Sequence, residues 1–242
     1  MEFGVRSGRA SNGRQGVLLL DFGGTIDADG VHWSPRFHAG YRGAGGLLAY
    51  EEFDPIFREA HRELEVLPEI RSLGYRAMAA RLATELVARL PDGAGIAPGL
   101  LSDSFCVQAL ATVERNRPIL VRLKQTHRLA AVSNFTGNLD PCLEELDLLS
   151  CFETTLDSTL LGMAKPDPRI FGEALHRLGV DPEQAWMVGD NWNADIRPAR
   201  QLGMRTCWVA PPSRDLPEPE GPTARIARLS DLEAVLEAPR TV

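Results

Sequence analysis

Val17-Leu18-Leu19-Leu20-Asp21-Phe22-Gly23-Gly24-Thr25 is an apolar run that ends in a lone carboxylate, two glycines and a threonine. A short apolar run cut off by glycines reads as a strand buried on both faces, the kind found in parallel α/β sheets. The glycines let the backbone turn tightly at the strand's carboxyl end, where open α/β sheets keep their ligands. A carboxylate there is a nucleophile, a ligand for a hard cation, or both.

Downstream, Asp29-Gly30 lies between alternating apolar and polar residues (Ile26 to Trp33), a two-residue hairpin signal. The reading is a small flap beside the end of the first strand. From about 34 to about 117 the pattern turns helical. Ala79, Leu82, Ala83, Leu86, Val87 and Leu90 form one amphipathic stripe, and Pro91-Asp92-Gly93-Ala94-Gly95 ends that helix. No convincing strand occurs in this stretch, so it reads as a helical insert between two α/β segments.

Strand–helix alternation resumes at Pro118, a favoured first residue of a helix, here expected over Ile119 to His127. Strands are expected at Leu129–Asn134, Phe152–Leu156, Ala185–Asp190 and Thr206–Val209. Helices are expected at Pro141–Leu149, Pro168–Leu178 (stopped by Gly179), Ala194–Leu202 and Leu229–Leu236, with a proline-rich loop over Pro211–Pro222. Such alternation implies α/β architecture with a doubly wound, parallel Rossmann-like sheet. Four strand ends then bring polar groups to one crevice: Asp21 with Thr25, Ser133 with Asn134, Lys165, and Asp190 with Asp195. Hydroxyl, amide and ammonium groups beside several carboxylates describe a site for phosphate and Mg²⁺.

In these residues the chain resembles the haloacid dehalogenase-like superfamily. Its four motifs occur in order: Asp-x-x-Gly-Thr at 21–25, Ser-Asn at 133–134, Lys-Pro at 165–166 and Gly-Asp-x-x-x-x-Asp at 189–195. The resemblance implies a core built from 17–33 and 118–242, with 34–117 as a helical cap of the C1 type that closes over the site and contacts substrate. It also implies that Asp21 attacks phosphorus and forms an aspartyl-phosphate. Mg²⁺ would be held by Asp21, Asp190 and the main-chain carbonyl of Gly23. Thr25, Ser133, Asn134 and Lys165 would bind the phosphoryl group, and Asp195 would lie just outside the metal's ligands or orient Lys165. Pro166 restricts Lys165 to an extended backbone, which fixes where its ammonium points.

Gly23 departs from the pattern. Phosphatases that share it carry there a second Asp, which protonates the leaving oxygen and later activates water. General acid–base catalysis contributes about 10²–10⁴-fold in rate, so its loss leaves an attenuated enzyme rather than a necessarily inert one. Relatives with Ala at this position use a cap lysine as Schiff base, but the two lysines of this chain are Lys124 and Lys165. Metal-free haloacid dehalogenases carry Tyr there. The expected function is therefore an Mg²⁺-dependent phosphatase of a small phosphorylated metabolite, with a catalytically silent binding or regulatory protein as the alternative and a dehalogenase behind it. Asp27 and His32, with Asp29 and His38 further off, are the substitutes for the missing acid; a substrate with a good leaving group would need none. Arg36, Arg42 and Arg58 read as solvated.

Composition sets the outer bounds. The chain has 242 residues, 44% of them hydrophobic and 24% charged, ordinary for a globular fold that needs no disulfide. A net charge of −7 argues against general nucleic-acid binding. The four cysteines lack any metal-binding spacing and point to a reducing cytoplasm. Residues 1–16, rich in Gly, Arg and Ser, read as a disordered leader without the apolar segment of a secretory signal, and no run reaches transmembrane length.

Overall fold

The computed structural model describes residues 16–91 and 93–238; the leader expected over 1–16 lies outside them, Gly16 excepted. Six strands form one sheet: β1 (Val17–Leu20), β2 (Arg128–Ser133), β3 (Thr154–Asp157), β4 (Ala185–Gly189), β5 (Arg205–Val209) and β6 (Ala224–Ile226). Their order is β3-β2-β1-β4-β5-β6, and every pair is parallel. The chain winds outward from β1 to β3, returns to the other side of β1, and winds outward again from β4. The switch in direction therefore lies between β1 and β4, with Asp21 and Asp190 at its mouth.

Helices α1 (Trp33–Gly43), α2 (Tyr50–Val66), α3 (Tyr75–Arg89) and α4 (Pro98–Thr126) separate β1 from β2. Beyond β2 come α5 (Leu139–Glu145), α6 (Ser158–Leu161), α7 (Pro168–Leu178), α8 (Arg197–Gln201) and α9 (Leu232–Glu237). Period-two alternation splits the core. Leu18 and Leu20 join Leu120, Leu123 and the aromatic residues of α1–α4, whereas Val17 and Leu19 face Ile170, Phe171 and Ala174 of α7. The stripe on α3 is buried at Ala79, Leu82, Ala83, Leu86 and, just past the helix, Leu90. Gly179 ends α7 in the left-handed conformation, as expected of a glycine after a helix. Among the described residues no helix is long and apolar enough to cross a membrane.

Two local expectations are corrected, and one strand was not foreseen. Pro118 does not start a helix: it lies inside α4, which runs unbroken for 29 residues from the helical insert to β2. An internal proline costs about 3 kcal/mol. Burial of Val113, Ile119, Leu120 and Leu123 on both sides of it offsets that, at about 1.5–3 kcal/mol per large apolar side chain. Asp29 and Gly30 do form a tight turn, with φ of 48° and 92°, but no strands pair across it and α1 begins three residues later. The three-residue β6, Ala-Arg-Ile, is too short to carry a periodic signal.

Candidate functional site

Four chain segments meet at the carboxyl end of the sheet. Asp21 leaves β1 in an extended conformation, and the chain then coils into a tight turn over Phe22–Ile26. Gly24 has φ 97°, and a Cβ there would lie 2.7 Å from the Asp190 carboxylate, so only glycine lets that carboxylate approach the turn. A Cβ on Gly189 would meet the Asp195 carboxylate at 2.4 Å. Thr25 Oγ1 lies 3.0 Å from Asp21 Oδ2 and 3.3 Å from Asp190 Oδ1, a hydroxyl bridging the two carboxylates. Lys165 Nζ is 2.6 Å from both Asp21 Oδ1 and Asp195 Oδ1, and Ser133 Oγ donates to the same Asp21 oxygen at 3.3 Å. All six side chains are buried.

Two residues expected to bind substrate do other work. Both ends of the Asn134 amide are taken by the backbone of Lys165: Nδ2 donates to its carbonyl and Oδ1 accepts from its N–H, each at 2.8 Å. Asn134 thus fixes the lysine's main chain, a task assigned above to Pro166 alone. The Thr25 hydroxyl is wholly enclosed and spent on the two carboxylates.

The electrostatics follow from crowding. Burial pushes Asp190 well above the usual carboxylate range, and the charges of Asp21 and Asp195 push it further. Burial likewise raises Asp195 to about 6, against the pull of Lys165. Burial opposes the charge on Lys165, but Asp195 and Asp21 overcome it and hold the ammonium above the ordinary lysine value. The carboxylate oxygens of Asp21, Asp190 and Asp195 lie within 4.8 Å of one another, and Lys165 is the one cation that touches them at ion-pair distance among the described residues. Three acids against one base leave negative charge uncompensated, and the donors are hard oxygens. That set suits a small divalent cation.

At Gly23 the backbone is ordinary (φ −76°, ψ 111°), and what a side chain would meet is Trp33: a Cβ there would sit 3.2 Å from the indole Nε1. The indole is pinned. Nε1 donates to Asp27 Oδ2 at 2.8 Å, and the ring packs edge-on to Tyr75, Phe105 and Phe135. Asp27 is fully buried and also accepts from Gly24 N (2.7 Å), Arg36 Nη1 (3.1 Å) and Tyr75 OH (2.6 Å). With four donors on two oxygens, it is a structural anchor and not a substitute acid. Arg36, expected to be solvated, is instead 5% exposed, ion-paired to Asp27 and laid over the Phe105 ring. No local pattern announces this network, because its members lie on three different elements.

The other substitutes differ in their freedom. Asp29 is taken by Arg115, Asn116 and the N–H of Leu229, and His38 by the carbonyl of Leu48. His32, at the start of α1, is an exposed residue whose Nδ1 accepts from the N–H of Ser34 at 3.5 Å. The protein crowding its inner side lowers its pKa, while the charges of Asp21 and then Asp27 act the other way.

Fold and site together define a hydrolase of one superfamily: the haloacid dehalogenase-like hydrolase family matches residues 17–203, and the chain belongs to it. Haloacid dehalogenase-like hydrolase domain-containing protein 3 of Bos taurus is 43% identical over 89 residues, 37% of this chain and 36% of that protein. Phosphoserine phosphatase of Thermus thermophilus is 47% identical over 88 residues, 36% of this chain and 34% of that one. The chain thus spans about a third of the length of these relatives. Among solved structures, the 2-haloacid dehalogenase of Pseudomonas syringae is 28% identical with a TM-score of 0.53, covering 91% of this chain and 97% of its own.

Proposed function

We propose that this protein is an Mg²⁺-dependent phosphatase that cleaves a small phosphorylated metabolite through an aspartyl-phosphate on Asp21. The observation that carries the reading is the meeting of Asp21, Asp190, Asp195 and Lys165 in one buried crevice. Phosphoryl transfer is chiefly positioning and charge neutralisation, and the residues present are suited to both. A carboxylate oxygen of Asp21 forms the bond to phosphorus while the bond to the leaving oxygen breaks and takes its electron pair. Lys165 and Ser133, which converge on Asp21 Oδ1, then face the transferred phosphoryl oxygens. Water next attacks phosphorus, and the Asp21 carboxylate is released. Asp21, Asp190 and the Gly23 carbonyl would hold the Mg²⁺, whose chemistry is to neutralise phosphoryl charge. Thr25 keeps the Asp21 and Asp190 carboxylates together, and Asp195 holds Lys165.

No acid stands at Gly23, and the lowered pKa of His32 suits it to accept a proton rather than to give one, so the site favours a substrate whose leaving group needs no protonation, such as an acyl phosphate. The helices α1–α4 act as the cap that excludes water and selects the substrate. Four buried, unpaired cysteines support a reducing, cytoplasmic setting. A second reading, a protein that binds but does not turn over, is favoured by one observation: Trp33 fills the place of the missing acid.

A panel of phosphate esters and acyl phosphates, assayed with Mg²⁺ and with chelator, tests both. Release that stops with chelator, and in Asp21→Asn, is the expected result. Release that persists in Asp21→Asn overturns the phosphatase mechanism, and no release from any substrate selects the binder.

A further inference from the structure

The proline-rich loop over Pro211–Pro222 connects β5 to β6 and carries an exposed arginine, Arg214, whose fork bridges the end of β4 and the turn before α1. Nη1 donates to the main-chain carbonyl of Asp190 at 3.3 Å, and Nη2 donates to the carbonyl of Gly30 at 3.1 Å. Gly30 closes the turn that follows Asp21, its N–H donating to Gly24 O at 2.7 Å. A Cβ on Gly30 would lie 2.8 Å from the Val209 carbonyl, so this turn is wedged against the end of β5. The Asp190 carbonyl accepts a second hydrogen bond, from Trp208 Nε1 at 2.9 Å. Arg214 is itself held: Arg225 Nη2 donates to its carbonyl at 2.6 Å, and the Arg225 guanidinium lies 4.9 Å from the centre of the Trp208 ring.

We propose that Arg214 is a positioning residue: by gripping the Asp190 carbonyl and the Gly30 carbonyl together, it sets the spacing between Asp21 and Asp190 and so the shape of the cation site. This rests on the Mg²⁺ reading above. The residue touches neither carboxylate, and it acts by holding the backbone from which Asp190 projects. Two effects of removing it have opposite signs. Losing a nearby positive charge favours a bound cation, but an exposed guanidinium is screened by water and that gain is a few-fold at most. Losing the grip loosens a ligand's support, which typically weakens metal binding about 10–100-fold. The positioning effect therefore decides the sign.

The test is calorimetric titration of chelator-treated protein with Mg²⁺ alone, comparing wild type, Arg214→Gln and Arg214→Lys, with thermal midpoints taken in chelator. The expected result is a dissociation constant raised about 10–100-fold in Arg214→Gln, with partial rescue in Arg214→Lys and an unchanged midpoint without metal. Unchanged or tighter Mg²⁺ binding by Arg214→Gln overturns the inference while leaving the phosphatase reading intact. A midpoint that falls in both variants overturns it too, by making the role one of general stability. Wild type that binds no Mg²⁺ overturns the metal reading and this inference with it.

Discussion

Placing an aspartate at Gly23 puts the missing acid back where the family's phosphatases keep it, and the surroundings say how that will go. The backbone accepts any residue (φ −76°, ψ 111°), so the whole obstacle is Trp33, 3.2 Å from the new Cβ. The indole has little room to yield, being 4% exposed, bonded to Asp27 and enclosed by three aromatic rings. Overpacking of this kind costs about 1–3 kcal/mol, and the carboxyl group reaches further than the Cβ. The prospective gain is about 10²–10⁴-fold in rate, or about 3–5 kcal/mol of barrier, but only if the carboxyl group turns toward the leaving oxygen. Gly23→Asp alone is therefore expected to lose about 1–3 kcal/mol of stability in urea unfolding and to gain far less than the full rate. In a Trp33→Leu background the same aspartate should cost less, with a favourable coupling of about 0.5–3 kcal/mol. There it should also raise hydrolysis of an alkyl phosphate in Mg²⁺. If Gly23→Asp is as stable as wild type, or speeds that hydrolysis a hundredfold with Trp33 in place, the steric argument fails.

Asp27→Asn leaves the buried Arg36 guanidinium without its counter-charge and should cost about 3–5 kcal/mol in urea unfolding; a loss below about 1 kcal/mol would contradict the anchor role. Lys165→Met removes the one cation among the described residues in ion-pair contact with the acidic cluster, and phosphate release should fall below detection while Gly23→Ala retains it; comparable rates would refute the role of the lysine. His61 on α2 has its pKa lowered to about 4, by burial first and then by nearby His32. Its folded value lies below its unfolded one, so between about pH 6.5 and 4 the unfolded chain binds more protons, and stability should fall as pH falls through that window. The difference in urea midpoint between wild type and His61→Gln should narrow or reverse from pH 7 to pH 4.5, and a difference that stays constant would exclude the half-buried, neutral imidazole.

Much of this arrangement could be read from the residues in order. β1, β2, β4 and β5 announced themselves as apolar runs, because a strand covered on both faces has no polar side to show. Pro168 and Gly179 bracketed α7 by backbone chemistry alone. The convergence of Asp21, Ser133, Lys165 and Asp190 followed from a parallel sheet, which gathers its carboxyl ends at one edge. Missing from that reading was whatever depends on contacts between distant elements. Pro118 carried a local signal for a helix start that burial on both sides overrode. Asp27 looked like a free carboxylate beside the site, yet its partners Trp33, Arg36 and Tyr75 arrive from α1 and α3. Asn134 was recognisable as a site residue but not as the support of Lys165, since nothing in a sequence says which way an amide faces.

The unbroken α4 has a consequence for how the molecule comes apart. At about 1.5 Å per residue its 29 residues reach about 43 Å, and no joint marks the place where helical insert would end and α/β core begin. Its first half is buried against α1 and α3 and its second half against the sheet, so neither layer keeps its partner if the rod is cut or frays. Excising 34–117 at the proline would divide the rod about two-thirds of the way along and leave buried residues of both layers bare. Denaturation is thus expected as one concerted transition, seen alike by the near-ultraviolet signal of Tyr41, Tyr50 and Tyr75 in the insert and by the fluorescence of Trp186, Trp192 and Trp208 in the core, rather than as a lid melting off a surviving core.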